Sequence, residues 1–174
     1  YSFKTQGDTE VILAAYKMWG RECVKYFDGI FAFAIYDKDT GVISLARDSG
    51  GVKPLYYWWN KNNKTFIFSS EIKAILEHED IPRKLNMEAF NHYMRVLYVP
   101  EPHTMFKGIK KLPPGHWGVY DSGNFNIEDY FTNSIIKLSY EDLTEKLNYN
   151  YQFGSEIFKS FSQFSTNVGR IGYY

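Results

Sequence analysis

Residues 31–35 read Phe-Ala-Phe-Ala-Ile, large and small apolar side chains in strict alternation. On a strand, successive side chains point to opposite faces, so Phe31, Phe33 and Ile35 share one face and Ala32 and Ala34 the other. Neither face is polar. A strand over 29–36 must therefore be covered on both sides, which a sheet with one wet face does not provide. The segment Asp37-Lys38-Asp39-Thr40-Gly41 is turn chemistry, and 42–47 returns as a second strand to close a hairpin. Further strands are expected at 55–59 and 65–68, joined by an Asn- and Lys-rich turn at 60–64. These four are predicted to lie side by side in one antiparallel sheet, with Phe31, Phe33, Ile35 and Leu45 in its core. The 15 Tyr and 14 Phe residues of the chain suit strands.

Helical spacing appears elsewhere. Val11, Ile12, Ala15, Trp19 and Cys23 recur at three- and four-residue steps, predicting a helix over 8–23 with one apolar stripe. Asp8 or Thr9 is the expected cap, and Thr5-Gln6-Gly7-Asp8 also fits a weak capping box. A short helix is predicted at 72–77 and another at 86–97, capped by Asn86 with Phe90, Tyr93 and Leu97 on its apolar side. The Pro- and Gly-rich stretch 98–116 reads as loop. A last hairpin, 117–120 with 124–130, turns at Asp121-Ser122-Gly123. Ser139 and Asp142 resemble a capping box for a helix through 147, and residues 148–174 keep no period. Helices beside antiparallel strands give an α+β class.

Charge and cysteine content narrow the function. With 20 Lys+Arg against 20 Asp+Glu the net charge is zero, which lacks the basic excess of a protein that binds nucleic acid through phosphates. No run of 18 apolar residues is present to span a membrane. A single Cys forms no internal disulfide, and the simple reading is a reducing, cytoplasmic compartment. Phosphate-loop, HExxH, GxSxG and CxxC motifs are absent, and four scattered His make no metal cluster, so no metal ligand is assigned.

Three features invite a chemical reading. Cys23 lies on the apolar side of a helix, where a thiol is a small hydrophobe rather than a nucleophile. Arg47-Asp48 reads as a charge pair that fixes the turn before Gly51. Asp8 reads first as a helix N-cap and only second as an exposed carboxylate able to hold a ligand ammonium group.

A resemblance then becomes specific. The blocks Phe3-x-Thr5-x-Gly7-Asp8-Thr9-Glu10-Val11-Ile12-Leu13, Phe27-x-Gly29-Ile30-Phe31-Ala32-Phe33-Ala34-Ile35-Tyr36-Asp37 and Leu45-Ala46-Arg47-Asp48-x-x-Gly51-Val52-Lys53-Pro54-Leu55-Tyr56-Tyr57 occur in order. With Phe68-Ser69-Ser70-Glu71-Ile72-Lys73-Ala74 they resemble the class II glutamine amidotransferase domain. A fifth block, from Tyr98-Val99-Pro100-x-Pro102 to Leu112-Pro113-Pro114-Gly115-His116, is similar to glutamine-hydrolysing asparagine synthetases. The resemblance implies part of an N-terminal-nucleophile hydrolase fold, an α/β/β/α sandwich of two antiparallel sheets between helical layers. It implies residues 1–80 as the later part of the glutaminase domain, 81–147 as connection and start of a synthetase domain, and 148–174 as an unmatched tail.

The activity implied is glutamine hydrolysis by an N-terminal Cys, its ammonia passing to an ATP-activated aspartate. The partners implied are glutamine, with aspartate and ATP in the complete enzyme, and a homodimer is allowed. No cofactor is expected on this segment, ATP and Mg2+ being implied for the synthetase domain. A relative that amidates another acceptor such as a sugar acid, or a non-catalytic amidotransferase-like domain, is the alternative. The family's terminal Cys, its carboxylate-gripping Arg and its oxyanion-hole Asn-Gly have no counterpart in this chain, so no catalytic residue is assigned to it. Among the glutamine-binding residues, Asp8 alone has a matching position, where it would pair with the substrate's α-ammonium group.

Overall fold

The computed structural model describes residues 2–131. The capping box at Ser139 and the tail from 148 lie outside them.

Among the described residues, seven strands form two antiparallel sheets. Strands β1 (Ala32–Tyr36), β2 (Ile43–Arg47), β6 (His116–Asp121) and β7 (Asn124–Asp129) make sheet I in the order β1-β2-β6-β7. Strands β3 (Tyr56–Asn60), β4 (Thr65–Ser69) and β5 (Lys110–Lys111) make sheet II in the order β4-β3-β5. The expectation of one sheet holding all four early strands is therefore corrected. The two hairpins form as read, with Phe33 opposite Ala46 and Tyr57 opposite Phe68, but each belongs to a different sheet. The reason lies in the side chains. Their alternation marks faces for burial but does not choose the strand that pairs at the hairpin's edge, and β2 finds β6, 71 to 77 positions later. Residues 110–129, beyond the division expected at 80, thus supply β5 to sheet II and β6 and β7 to sheet I.

Alternation sorts every strand between two layers. From sheet I, Ala32, Ile43, Leu45, Tyr120, Phe125 and Ile127 meet Tyr57, Trp59, Phe66 and Phe68 from sheet II, so the sheets pack face to face. On the outer face of sheet I, Ala46 and Trp117 with half-buried Phe31, Phe33 and Val119 pack on Ala15, Cys23 and Val24. On the outer face of sheet II, Trp58 and Ile67 pack on Ile72 and Ile75 of the short helix α2 (Ile72–Ile75) and on Leu76, its C-cap. The layers run helix, sheet I, sheet II, helix. This is the α+β sandwich the resemblance implies. Aromatic rings carry much of the central layer: Phe125 lies 4.6 Å from Phe66 and 4.8 Å from Tyr57, distances at which offset pairs add to simple burial. Gly118 makes room for this cluster, since a Cβ there would fall 2.8 Å from the Phe125 ring.

The helices depart from the reading at their ends and faces. Helix α1 spans Asp8–Trp19 and then tightens into a 3-10 segment, Gly20–Tyr26, that carries Cys23. Gly20, at φ 58°, breaks the α-helix in a conformation other residues resist. The buried stripe also differs from the one read: Ala14, Ala15, Cys23 and Val24 are buried, whereas Val11 and Trp19 face outward. Helix α3 (Met87–Val96) is capped as expected, the Asn86 side chain accepting from the Ala89 amide at 3.3 Å. Its inner face is Ala89 with half-buried Phe90, while Tyr93 is exposed and Leu97 is 76% exposed.

Candidate functional site

The first turn of α1 holds the candidate site residue. Gly7, not Asp8 or Thr9, is the N-cap, in an extended conformation (φ −89°, ψ 142°) and with no side chain to cap the helix. Asp8 is the first helical residue. Its carboxylate is exposed and, among the described residues, makes no side-chain hydrogen bond or ion pair. The cap role is thus corrected, and the carboxylate is left available at the end of a 12-residue helix. The helix end is positive in sign, so a carboxylate is stable there, and a cation near it must be recognised by the carboxylate itself.

The approach to Asp8 is fixed by Glu10, one turn into the helix. Its carboxylate accepts from the Lys4 amide (3.0 and 3.2 Å to the two oxygens), the Thr5 amide (2.7 Å) and the Thr5 hydroxyl (2.6 Å). The Gly7 amide in turn donates to Thr5 Oγ1 at 3.4 Å. Bonding from the Thr5 hydroxyl, then from the Lys4 and Thr5 amides, holds the Glu10 carboxyl below its usual 4.5, against a small opposing effect of burial. Sequence reading carried Glu10 only as a letter of the motif; its i to i+5 and i+6 contacts have no helical periodicity to reveal them.

A second polar centre lies inside the fold. Arg47, 3% exposed, donates from Nε to Lys53 O (2.8 Å), from Nη1 to Leu112 O (2.6 Å) and from Nη2 to Gly51 O (2.5 Å). The same two terminal nitrogens fork onto Glu101, at 3.0 and 3.3 Å. Lys111 Nζ reaches Glu101 at 3.3 Å, and Tyr130 Oη donates to the Arg47 carbonyl at 2.6 Å. Buried Asp48 accepts from the Val52 and Lys53 amides, at 3.0 and 3.3 Å. Burial pushes its carboxyl up, but these bonds and the Arg47 charge together bring it below the ordinary value. The pair does fix the turn at Gly51, and it also pins the connections at 100–102 and 112–115 to β2. Its partner Glu101 was missed because nothing in a Pro-Glu-Pro stretch signals a contact 54 positions away.

The remaining candidates do not join these. Cys23 is fully buried, and burial pushes its thiol up to about 11. It is no nucleophile at neutral pH. His116 Nδ1 lies 2.7 Å from Pro114 O, and His92 is exposed on α3. Among the described residues no three His, Cys, Asp or Glu stand together as metal ligands.

Known proteins match this sequence. The glutamine amidotransferase domain family matches residues 1–131. A protein of Methanocaldococcus jannaschii provisionally named glutamine-hydrolyzing asparagine synthetase 2 is 41% identical over 130 residues, covering 74% of this chain and 25% of the relative. Glutamine-hydrolyzing asparagine synthetases 3 and 1 of Bacillus subtilis are each 38% identical, over 132 and 144 residues, covering 75% and 82% of this chain and 21% and 22% of theirs. The chain spans about a quarter of the length of such relatives, and the shared segment is the one that folds into the two sheets, α1 and the Asp8 turn. A match over three quarters of the sequence, on the fold that its motifs imply, establishes that the chain belongs to the glutamine amidotransferase domain family.

Proposed function

We propose that this domain serves a glutamine-dependent asparagine synthetase, in which glutamine hydrolysis supplies ammonia for the ATP-dependent amidation of aspartate. The observation that carries the reading is the identity of 38–41% to proteins named for that activity, over the segment that builds the sandwich. The chain's own contribution is recognition. An exposed Asp8 carboxylate with no side-chain hydrogen bond or ion pair among the described residues suits the α-ammonium of glutamine, and a charge-assisted hydrogen bond of this kind is worth about 1.5–3 kcal/mol. Buried Cys23 takes no part in attack on the amide; the nucleophile belongs to the family's N-terminal Cys, whose α-amine would deprotonate it.

ATP and Mg2+ would activate aspartate for ammonia on a synthetase domain; among the described residues no three His, Cys, Asp or Glu stand together as metal ligands. The connection into a synthetase domain over 81–147, a homodimer and a cytoplasmic location belong to the same proposal. None of the described helices is long and apolar enough to cross a membrane.

The test is Asp8→Asn in a complete homologue. At the first helical position Asn gives up only the interaction of the charge with the helix dipole, about 0.3–1 kcal/mol at an exposed site, so helix stability is held nearly constant. The glutamine KM should rise about ten- to a hundredfold, since 1.4 kcal/mol is tenfold. Ammonia-dependent synthesis should stay nearly intact, because ammonia bypasses the glutamine pocket. Parallel loss of both rates, or no change in either, would refute the ligand role of Asp8.

A further inference from the structure

We infer that Glu10 is a positioning residue for glutamine, a clamp that sets the path of residues 4–7 and thereby the place of the Asp8 carboxylate. The inference rests on the reading of Asp8 as the ammonium ligand. In an ordinary capping box, the acid three residues after the N-cap accepts from the N-cap amide. Here Gly7 is the N-cap and Glu10 holds that position, but the Gly7 amide turns to Thr5 Oγ1 instead. The two oxygens of Glu10 go to the segment outside the helix, accepting from the Lys4 amide, the Thr5 amide and the Thr5 hydroxyl. Three donors converge on one carboxylate, and none of them is a helix amide. The bonds therefore do little for α1. What they fix is the incoming chain.

That chain needs fixing. Residues 2–8 are exposed, Gly7 adds a position of high backbone freedom, and Asp8 has no side-chain contact of its own to hold it. A ligand carboxylate left on such a segment would have to be ordered by the substrate, and the ordering cost appears as weaker binding. The Thr5 hydroxyl completes the clamp from the other side, donating to Glu10 and accepting from Gly7. The two side chains thus span the glycine that precedes Asp8.

The experiment compares Glu10→Gln, Thr5→Val, Thr5→Ser and Asp8→Asn in a complete homologue with the same Thr5-x-Gly7-Asp8-x-Glu10 arrangement. Glutamine- and ammonia-dependent rates are measured in parallel. Glu10→Gln and Thr5→Val should each raise the glutamine KM about three- to tenfold, the size expected for one or two exposed hydrogen bonds. Ammonia-dependent synthesis and kcat with saturating glutamine should hold, and Thr5→Ser should restore the parent KM because it keeps the hydroxyl. In this chain alone, Glu10→Gln should speed hydrogen exchange at the Lys4 and Thr5 amides. A Glu10→Gln enzyme with unchanged KM beside an impaired Asp8→Asn enzyme would overturn the clamp and leave the glutamine reading standing. An unchanged Asp8→Asn enzyme would overturn the reading and the clamp with it. An equal fall in ammonia-dependent rate for Glu10→Gln would make Glu10 a folding residue and overturn the inference as well.

Discussion

Replacing Arg47 tests whether the buried polar centre holds the sandwich together. In Arg47→Met a side chain of similar length keeps the packing but removes every donor. Three carbonyls lose their partner, those of Gly51, Lys53 and Leu112. Gly51 and Lys53 lie where water can replace the guanidinium, but Leu112 is fully buried and its carbonyl is left unpaired, at about 1–3 kcal/mol. Glu101, whose side chain is 20% exposed, keeps Lys111 at 3.3 Å as its remaining ion pair. Breaking a buried pair by removing one member costs about 3–5 kcal/mol, and the residual pair with Lys111 places this case near 3–4. Domain stabilities are about 5–15 kcal/mol, so the loss is a large share of the total. Urea unfolding followed by tryptophan fluorescence reads it directly: with a slope of about 2 kcal/mol per molar, the midpoint should fall by about 1.5–2 M. Arg47→Lys should recover less than half, because a point charge cannot serve three carbonyls and a carboxylate in one plane. Glu101→Gln combined with Arg47→Met should cost clearly less than the sum of the single changes, by about 1–2 kcal/mol. A loss below 1 kcal/mol for Arg47→Met, or strict additivity in the cycle, would refute the reasoning.

Other perturbations follow from the same structure. Cys23 should resist thiol reagents at neutral pH in the folded chain, and rapid labelling would contradict its burial. Because burial raises its folded value to about 11 from 9.0, the stability it contributes is present below about pH 9 and lost as pH rises through 11. Gly118→Ala should destabilise by about 1–3 kcal/mol, since the new methyl meets the Phe125 ring at 2.8 Å; a neutral effect in thermal unfolding would show the ring free to move. The lowered Glu10 value has the opposite sign: its contribution is present above pH 4.5 and lost as pH falls below it, and Glu10→Gln should remove that part of the acid-side slope.

Much of the fold was legible because local rules suffice for it. Alternation in 31–35 called for cover on two faces, and the structure supplies it in part. Phe31 and Phe33 are half-buried against Ala15, Cys23 and Val24, and Ile35 is buried. On the other face Ala32 packs half-buried toward sheet II while Ala34 is exposed, β1 being an edge strand of sheet I. Asn86 capped its helix as read, and Asp121-Ser122-Gly123 made its turn with φ of 50° at Ser122 and 94° at Gly123. The ordered motifs around Asp8 and Arg47-Asp48 placed the chain in its family. Sequence alone could not tell that two hairpins of like pattern belong to different sheets. Alternation says that a face is buried but not what buries it, and the answer came from β5–β7, far along the chain. Nor could it tell that Asp8 is inside the helix rather than its cap, since Asp, Asn and Gly all serve at that position and the choice rests on how Glu10 holds Thr5. Glu101 beside Arg47 is the clearest case. A charged side chain between two prolines carries no local signal, and only the folding of residue 101 against β2, with water excluded, turns it into the partner of a buried guanidinium.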